Sequence, residues 1–314
     1  VNASFVSYAW SSLNRLARLA TECGVLASEK LPCRVISVGN IQAGGTGKTP
    51  LVALIAHEAA ARGIRVCLLT RGYRSEWESR GGVIAPGPKS ADPKSAGDEA
   101  ALLHELCPAA WIGVGRDRVR QFEEAQRAAI QPFELVILDD GFQHWKIKKD
   151  IEIVAVTSDG PAEAPHRDFA ETLKRANLVV WTKGEARPLC AGRPFVRVHW
   201  RIERLPGTGA DIPPELPLHL VTGIASARRA REAIEASGFR ISEHSRFPDH
   251  MNYNGDQVRG FLAEAKKRSL AVATTGKDWV KWRALGISPN QVLVFEPLPE
   301  FSEGKDLWLK TLWG

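Results

Sequence analysis

Cysteine is scarce and unpatterned in this 314-residue chain: Cys23, Cys33, Cys67, Cys107 and Cys190 are odd in number and scattered, with no Cys-x-x-Cys spacing. That excludes a disulfide framework and a zinc knuckle and fits a reducing compartment. Long apolar runs are missing too. No stretch of roughly 18 uncharged apolar residues occurs, so no membrane-spanning helix is expected. The apolar N-terminal stretch carries Arg15 and Arg18, which a secretory signal would not. No internal repeat is visible. What is present is ordinary for a globular protein, 44% hydrophobic and 25% charged, with a basic balance of +6. A basic surface suits an acidic partner such as a nucleotide, a nucleic acid or an anionic membrane.

The length predicts two domains. Strand and helix patterns alternate, which predicts a mostly parallel sheet with helices on both faces. Strands are expected at Val35–Val38, Val66–Thr70, Trp111–Val114, Leu135–Leu138, Ile151–Val156 and Leu178–Trp181. Helices are expected at Thr49–Arg62, Asp98–Cys107, Arg118–Ala129 and Asp168–Arg175. Arg74–Ala96 reads as one long loop rich in Gly, Pro, Ser and Lys. After about Pro188 the pattern becomes a smaller α/β unit entered through an extended segment, Phe195–Arg204. The expected division is 1–190 and 191–314. At the front, over about residues 1–30, Phe5, Val6, Ala9, Leu13, Leu16, Ala17 and Ala20 fall at helical spacing near Tyr8 and Trp10. Such a helix either lies on a membrane surface or packs on the protein's own core.

The chemistry is concentrated in three places. After the first strand, Gly44, Gly45, Thr46 and Gly47 precede Lys48 and Thr49. Glycines let backbone N–H groups turn toward an anion, and the following helix presents its positive end. Lys48 is placed to reach the β- and γ-phosphates of a nucleotide, and the Thr49 hydroxyl to join a Mg²⁺ shell. Gln42 stands where a standard P-loop has its first glycine. Next, Glu134-Leu-Val-Ile-Leu-Asp139-Asp140-Gly141 resembles a Walker B strand, delivering a carboxylate to the sheet edge beside the P-loop. Two adjacent carboxylates cannot both point inward from a regular strand, so Asp139 is the better metal candidate and Asp140 the weaker. Finally, Asp98 opens a helix, as an N-cap or as a catalytic acid/base, and His250 sits beside Asp249 in a loop.

Together these segments resemble the tetraacyldisaccharide 4′-kinases. Ser37-Val-Gly-Asn-Ile-Gln-Ala-Gly-Gly-Thr-Gly-Lys-Thr-Pro50 resembles the family's opening motif, which itself lacks the first P-loop glycine. Thr70-Arg-Gly-Tyr73, Gly97-Asp-Glu99, Gly115-Arg-Asp-Arg118, Asp139-Asp-Gly-Phe-Gln-His144, Phe247-Pro-Asp-His250 and Thr274-Thr-Gly-Lys-Asp278 follow in the family's order. The resemblance implies a P-loop kinase fold with a second small domain across a hinge. It implies transfer of the ATP γ-phosphate to the 4′-hydroxyl of a tetraacylated disaccharide 1-phosphate in lipid A biosynthesis, at the cytoplasmic face of the bacterial inner membrane. It implies ATP and Mg²⁺ as cofactors, Lys48, Thr49 and Asp139 at the metal–phosphate site, and Asp98 paired with His250 as base. Gln143 and His144 would line the site, with Arg71, Tyr73 and Arg118 as further substrate contacts. The partners implied are the lipid and an anionic membrane, and no nucleic acid. Departures fall at Gly160–Phe169, at Ser226-Ala227 and at Gly276, where the family has glutamate. Two other readings stay open: a membrane-associated regulatory P-loop ATPase, and a soluble P-loop kinase of a small metabolite.

Overall fold

The computed structural model describes residues 3–42, 45–87, 91–157, 167–184 and 193–314. Ala43, Gly44, Gly160, Pro161 and Cys190 lie outside them. Ten α-helices and twelve strands are assigned among the described residues. The strands are β1 (Arg34–Asn40), β2 (Val66–Thr70), β3 (Gly82–Ile84), β4 (Trp111–Val114), β5 (Leu135–Asp139), β6 (Ile151–Thr157), β7 (Leu178–Lys183), β8 (Phe195–Arg204), β9 (Leu218–Thr222), β10 (Ile241–Arg246), β11 (Ala271–Thr275) and β12 (Leu293–Glu303).

They form one sheet in the order β10-β9-β11-β12-β8-β7-β6-β1-β5-β2-β4-β3. Pairing is parallel except at two seams, β3 on β4 and β12 on β8. The long β8–β12 pair is where two parallel blocks, running in opposite directions, are joined. The extended segment Phe195–Arg204 is therefore a full sheet strand.

Alternation along the strands divides the core between the two faces. Ile36, Val38, Leu68 and Ile137 pack with Leu51, Val52 and Ile55 of α2 (Lys48–Ala60) and Ala100 and Leu103 of α5 (Asp98–Leu106). Their neighbours Val35, Cys67, Leu69, Val136 and Leu138 pack with Phe122 and Ala125 of α6 (Arg118–Ala128) on the other face. Both faces are covered, as near-continuous apolar strands require. The second block has its own core around Val221, Tyr253, Trp279 and Trp282, with α8 (Gly255–Lys267) and α9 (Gly276–Ala284).

Two expectations differ in detail. The expected loop Arg74–Ala96 holds α3 (Trp77–Arg80), the edge strand β3 and α4 (Pro93–Ala96). Glycine, proline and serine hid elements this short. The expected helix from Asp168 is a 3₁₀ segment, Ala170–Arg175.

Helix α1 (Ala3–Glu22) is amphipathic in an inverted sense. Ser11, Asn14 and Arg18 face the body, where the Asn14 side chain donates to the Arg167 carbonyl at 2.7 Å. Leu13 and Leu16 are 66% and 63% exposed, and Tyr8, Trp10 and Leu19 are exposed beside them. No helix among the described residues is long and apolar enough to cross a membrane.

Candidate active site

The first half of the P-loop is held by side chains. The Gln42 amide donates to the Thr157 carbonyl at 2.7 Å and accepts from the Thr157 N–H at 2.9 Å. It thus pairs with the end of β6 as another strand residue would, which gives Gln42 a role a glycine could not fill. Asn40 donates to the Gln42 carbonyl and, at 3.0 Å, to the Thr46 hydroxyl, while its own carbonyl accepts from Gln143 Nε2 at 2.9 Å. Gly39 must be glycine because a Cβ there would sit 2.5 Å from Phe142 Cβ. The Asp-Asp-Gly-Phe-Gln-His segment and the P-loop strand are therefore packed directly on each other. Gly47 caps α2 in the left-handed region (φ 79°), and a Cβ on it would run into the Trp200 ring of β8. Gly45 is exposed and its carbonyl lies 3.4 Å from Lys183 Nζ.

Asp139 ends β5 and is buried, accepting from the Thr70 hydroxyl at 3.1 Å. Asp140 takes φ 52°, uncommon for a residue with a Cβ. That left-handed step resolves the strand-alternation problem: it ends the pleat and swings the second carboxylate toward the P-loop. Asp140 Oδ1 lies 3.4 Å from Lys48 Nζ, and Oδ2 lies 2.7 Å from Arg167 Nη1. The buried Arg118 donates to the Asp140 carbonyl at 3.3 Å. The two acids are tuned oppositely. Burial, with Glu99 and Asp140 nearby, pushes Asp139 up to about 6. Burial also acts upward on Asp140, but Lys48, Arg167 and Arg118 together hold it down at about 2.

Asp139 stays raised even with Lys48 and Arg118 nearby, so a further cation would stabilise its ionised form. Asp139, with the Thr49 hydroxyl at the start of α2, fits a magnesium–triphosphate in its donor chemistry. Asp140 is engaged by two cations, so its place is on Lys48 rather than on an open coordination position.

Asp98 is the first residue of α5, behind the cap residue Gly97 (φ 91°), and its side chain makes no cap bond. Its Oδ2 lies 3.1 Å from His250 Nδ1 and 3.0 Å from Lys281 Nζ. His250 is also left-handed, at φ 59°, and its N–H donates to the Gly223 carbonyl at 3.2 Å. Strain of this kind costs on the order of 1–3 kcal/mol and persists where the surroundings enforce it. Here Asp278 enforces it. Fully buried, it accepts from the Gly223 N–H (2.9 Å), the Thr275 hydroxyl (3.0 Å) and the Tyr253 hydroxyl (3.1 Å). The late Thr-Thr-Gly-Lys-Asp segment is thus the frame of the His250 loop. Its Gly276 departure is matched in space: a Cβ at 276 would strike Glu296 Oε1, which accepts from the Gly276 N–H at 2.6 Å. A carboxylate reaches this helix start from β12 instead.

His144 is half-buried, and burial, with Arg118, Lys149 and Lys146 around it, pushes it down to about 3, so it is neutral. Arg71 and Tyr73 are exposed; Arg71 pairs with Glu78 at 2.9 Å and lies over the Tyr73 ring at 5.9 Å. Arg71 is thus engaged by the largely buried Glu78, and its charge is felt at Arg118. Thr70, Arg167 and Lys281 were not identified from sequence as site residues. A threonine or lysine one strand or one turn from a motif carries no signal of its own. An apolar groove of ≈ 580 Å³, lined by Ile64, Phe133 and Cys107 among others, lies at the amino-terminal ends of β2 and β4, away from this cleft.

A family model described as tetraacyldisaccharide-1-P 4′-kinase matches residues 4–311. The chain belongs to the tetraacyldisaccharide-1-P 4′-kinase family. A tetraacyldisaccharide 4′-kinase of Alkalilimnicola ehrlichii is 34% identical, covering 93% of this chain and 86% of the relative. One from Geobacter metallireducens is 32% identical, covering 85% and 84% respectively. In structure, the chain matches a crystal structure of the "apo" form of LpxK from Aquifex aeolicus in complex with ATP. The TM-score is 0.77 at 24% identity, over 98% of this chain and 96% of that one. The 4′-kinase family relation makes this chain a kinase, and the structural match shows the same P-loop α/β fold.

Proposed function

We propose that this cleft transfers the γ-phosphoryl group of ATP to the 4′-hydroxyl of a tetraacyldisaccharide 1-phosphate. The observation that carries the reading is the convergence of Lys48, Asp139 and Asp140 from the P-loop block, with Asp98 held against His250 of the second block. Gly44, Gly45, Thr46, Gly47, Lys48 and Thr49 bind the phosphates. Thr49 and Asp139 hold magnesium, which would neutralise charge across the β- and γ-phosphates. Lys48, kept in place by Asp140, contacts the transferring group. Asp98 accepts the hydroxyl proton as the new O–P bond forms and the bond to the ADP oxygen breaks. Most of the acceleration comes from alignment and charge, with the base adding a smaller factor. Gln143, His144 and Arg118 line the acceptor side. The test is incubation with ATP, Mg²⁺ and tetraacyldisaccharide 1-phosphate in detergent. The bisphosphorylated lipid is the expected product, and a folded, nucleotide-binding protein that makes none would overturn the reading.

The expected 1–190 and 191–314 division shifts, since Val196, Val198, Trp308 and Leu312 pack in the core of the P-loop block. The two blocks act as lobes that meet over the nucleotide. The ion pairs from α5 to α9, Asp98–Lys281, Glu99–Lys277 and Glu105–Arg283, support this. A lipid acceptor, together with the polar inner face and leucine outer face of α1 that suit an interfacial helix, supports a location at the cytoplasmic face of the inner membrane. Leu13→Glu with Leu16→Glu should lower co-sedimentation with anionic vesicles at least severalfold while ATP affinity stays unchanged. Unaltered vesicle binding would remove α1 from this role.

A further inference from the structure

We infer that Lys281 is a positioning residue for the base: with His250 it occupies one oxygen of Asp98, so the other is presented to the acceptor hydroxyl. The inference rests on the reading of Asp98 as base. Both donors approach the same atom, Oδ2, His250 Nδ1 at 3.1 Å and Lys281 Nζ at 3.0 Å. No hydrogen bond is made to Oδ1 among the described residues. The Lys281 side chain is only 10% exposed and Asp98 only 17%, so this is an ordered, largely dehydrated pair rather than a surface contact.

An aspartate carboxylate turns readily about its terminal torsion. One imidazole donor fixes it loosely. An ion pair added on the same oxygen biases the choice of oxygen further. Lys281 supplies an ion pair and His250 the directional hydrogen bond.

The frame explains how a residue of the second block can do this. Lys281 lies one turn along α9 from Asp278, whose carboxylate anchors Gly223, Thr275 and Tyr253. Gly223 in turn holds the His250 backbone. The same buried acid thus fixes both donors relative to each other, and both reach Asp98 as one unit when the lobes meet. In this reading Lys281 acts through Asp98. In the transfer step the hydroxyl O–H electrons go to the new O–P bond and the proton goes to Asp98 Oδ1. Lys281 neither gains nor loses a proton.

The test is Lys281→Met, assayed for kcat, KM for ATP and nucleotide affinity, alone and combined with Asp98→Ala. Roughly a tenfold or greater loss of kcat is expected, as for a displaced catalytic group, with KM for ATP within about twofold. Lys281→Arg should recover part of the loss. In the Asp98→Ala background, Lys281→Met should cost nothing further. A wild-type kcat for Lys281→Met, or an equal loss in both backgrounds, would overturn the inference. Should Lys281→Met not fold, Lys281→Gln carries the same expectations. If Asp98→Ala alone keeps full activity, the base assignment itself fails, which is a separate result.

Discussion

Asp139→Asn should lower phosphoryl transfer about a thousandfold and raise the melting temperature of the nucleotide-free protein at neutral pH. The two effects share one cause. Asp139 is buried at the end of β5, and burial together with Glu99 and Asp140 raises it to about 6. A carboxyl raised in the folded state binds its proton more tightly there than in the unfolded chain. Folded-state stability is then fully favoured below the unfolded value and declines as pH rises from about 4 to about 6. At pH 7 the ionised group is a liability of roughly 3 kcal/mol. Asparagine removes the charge, and its amide oxygen can still accept from Thr70. Melts of the nucleotide-free variant and wild type should differ by a few degrees at pH 7.5 and converge near pH 4. Convergence would be missing if Asp139 were an ordinary structural acid, and in that case the variant would melt lower at every pH. The transfer assay decides the other half, because a neutral amide cannot replace an anion at a metal–phosphate centre.

Asp98→Ala should cut kcat by about a hundredfold or more, with nucleotide affinity changed little. Asp98 opens α5 without capping it, so its loss removes no helix cap. What it removes is the acceptor shared by His250 and Lys281. Lys281 and His250 would then lose the acid between them, and some loss of stability across the lobes is expected. Asp98→Asn separates the effects, since it keeps the shape and an acceptor oxygen but cannot take up a proton. Both variants should be equally slow if the proton is the issue. If Asp98→Asn retained near wild-type turnover, Asp98 would be a tether rather than a base.

How much of this was readable in the residues differs from place to place. β2, β4 and β8 fall where their apolar and alternating patterns put them, because a buried parallel strand needs an unbroken apolar run. The glycines before Lys48 and the acid after Leu138 are equally plain, since phosphate and metal chemistry permit few residue types. β12 and α9 were not anticipated: prolines interrupt the strand, and the helix has a mixed face. The Asp140 turn was invisible, because a left-handed backbone step at a non-glycine leaves no compositional trace.

The residues alone carried the P-loop kinase fold and the family, and named Lys48 and Asp139 as candidates by local spacing and Asp98 and His250 by the family resemblance. Only the tertiary structure decided which acid binds Lys48, that Gln42 replaces a strand pairing, that Glu296 fills the space left at Gly276, and that Lys281 joins His250 on one oxygen of Asp98. Those contacts link positions 20 to 183 residues apart, and a one-dimensional pattern contains no distance between them.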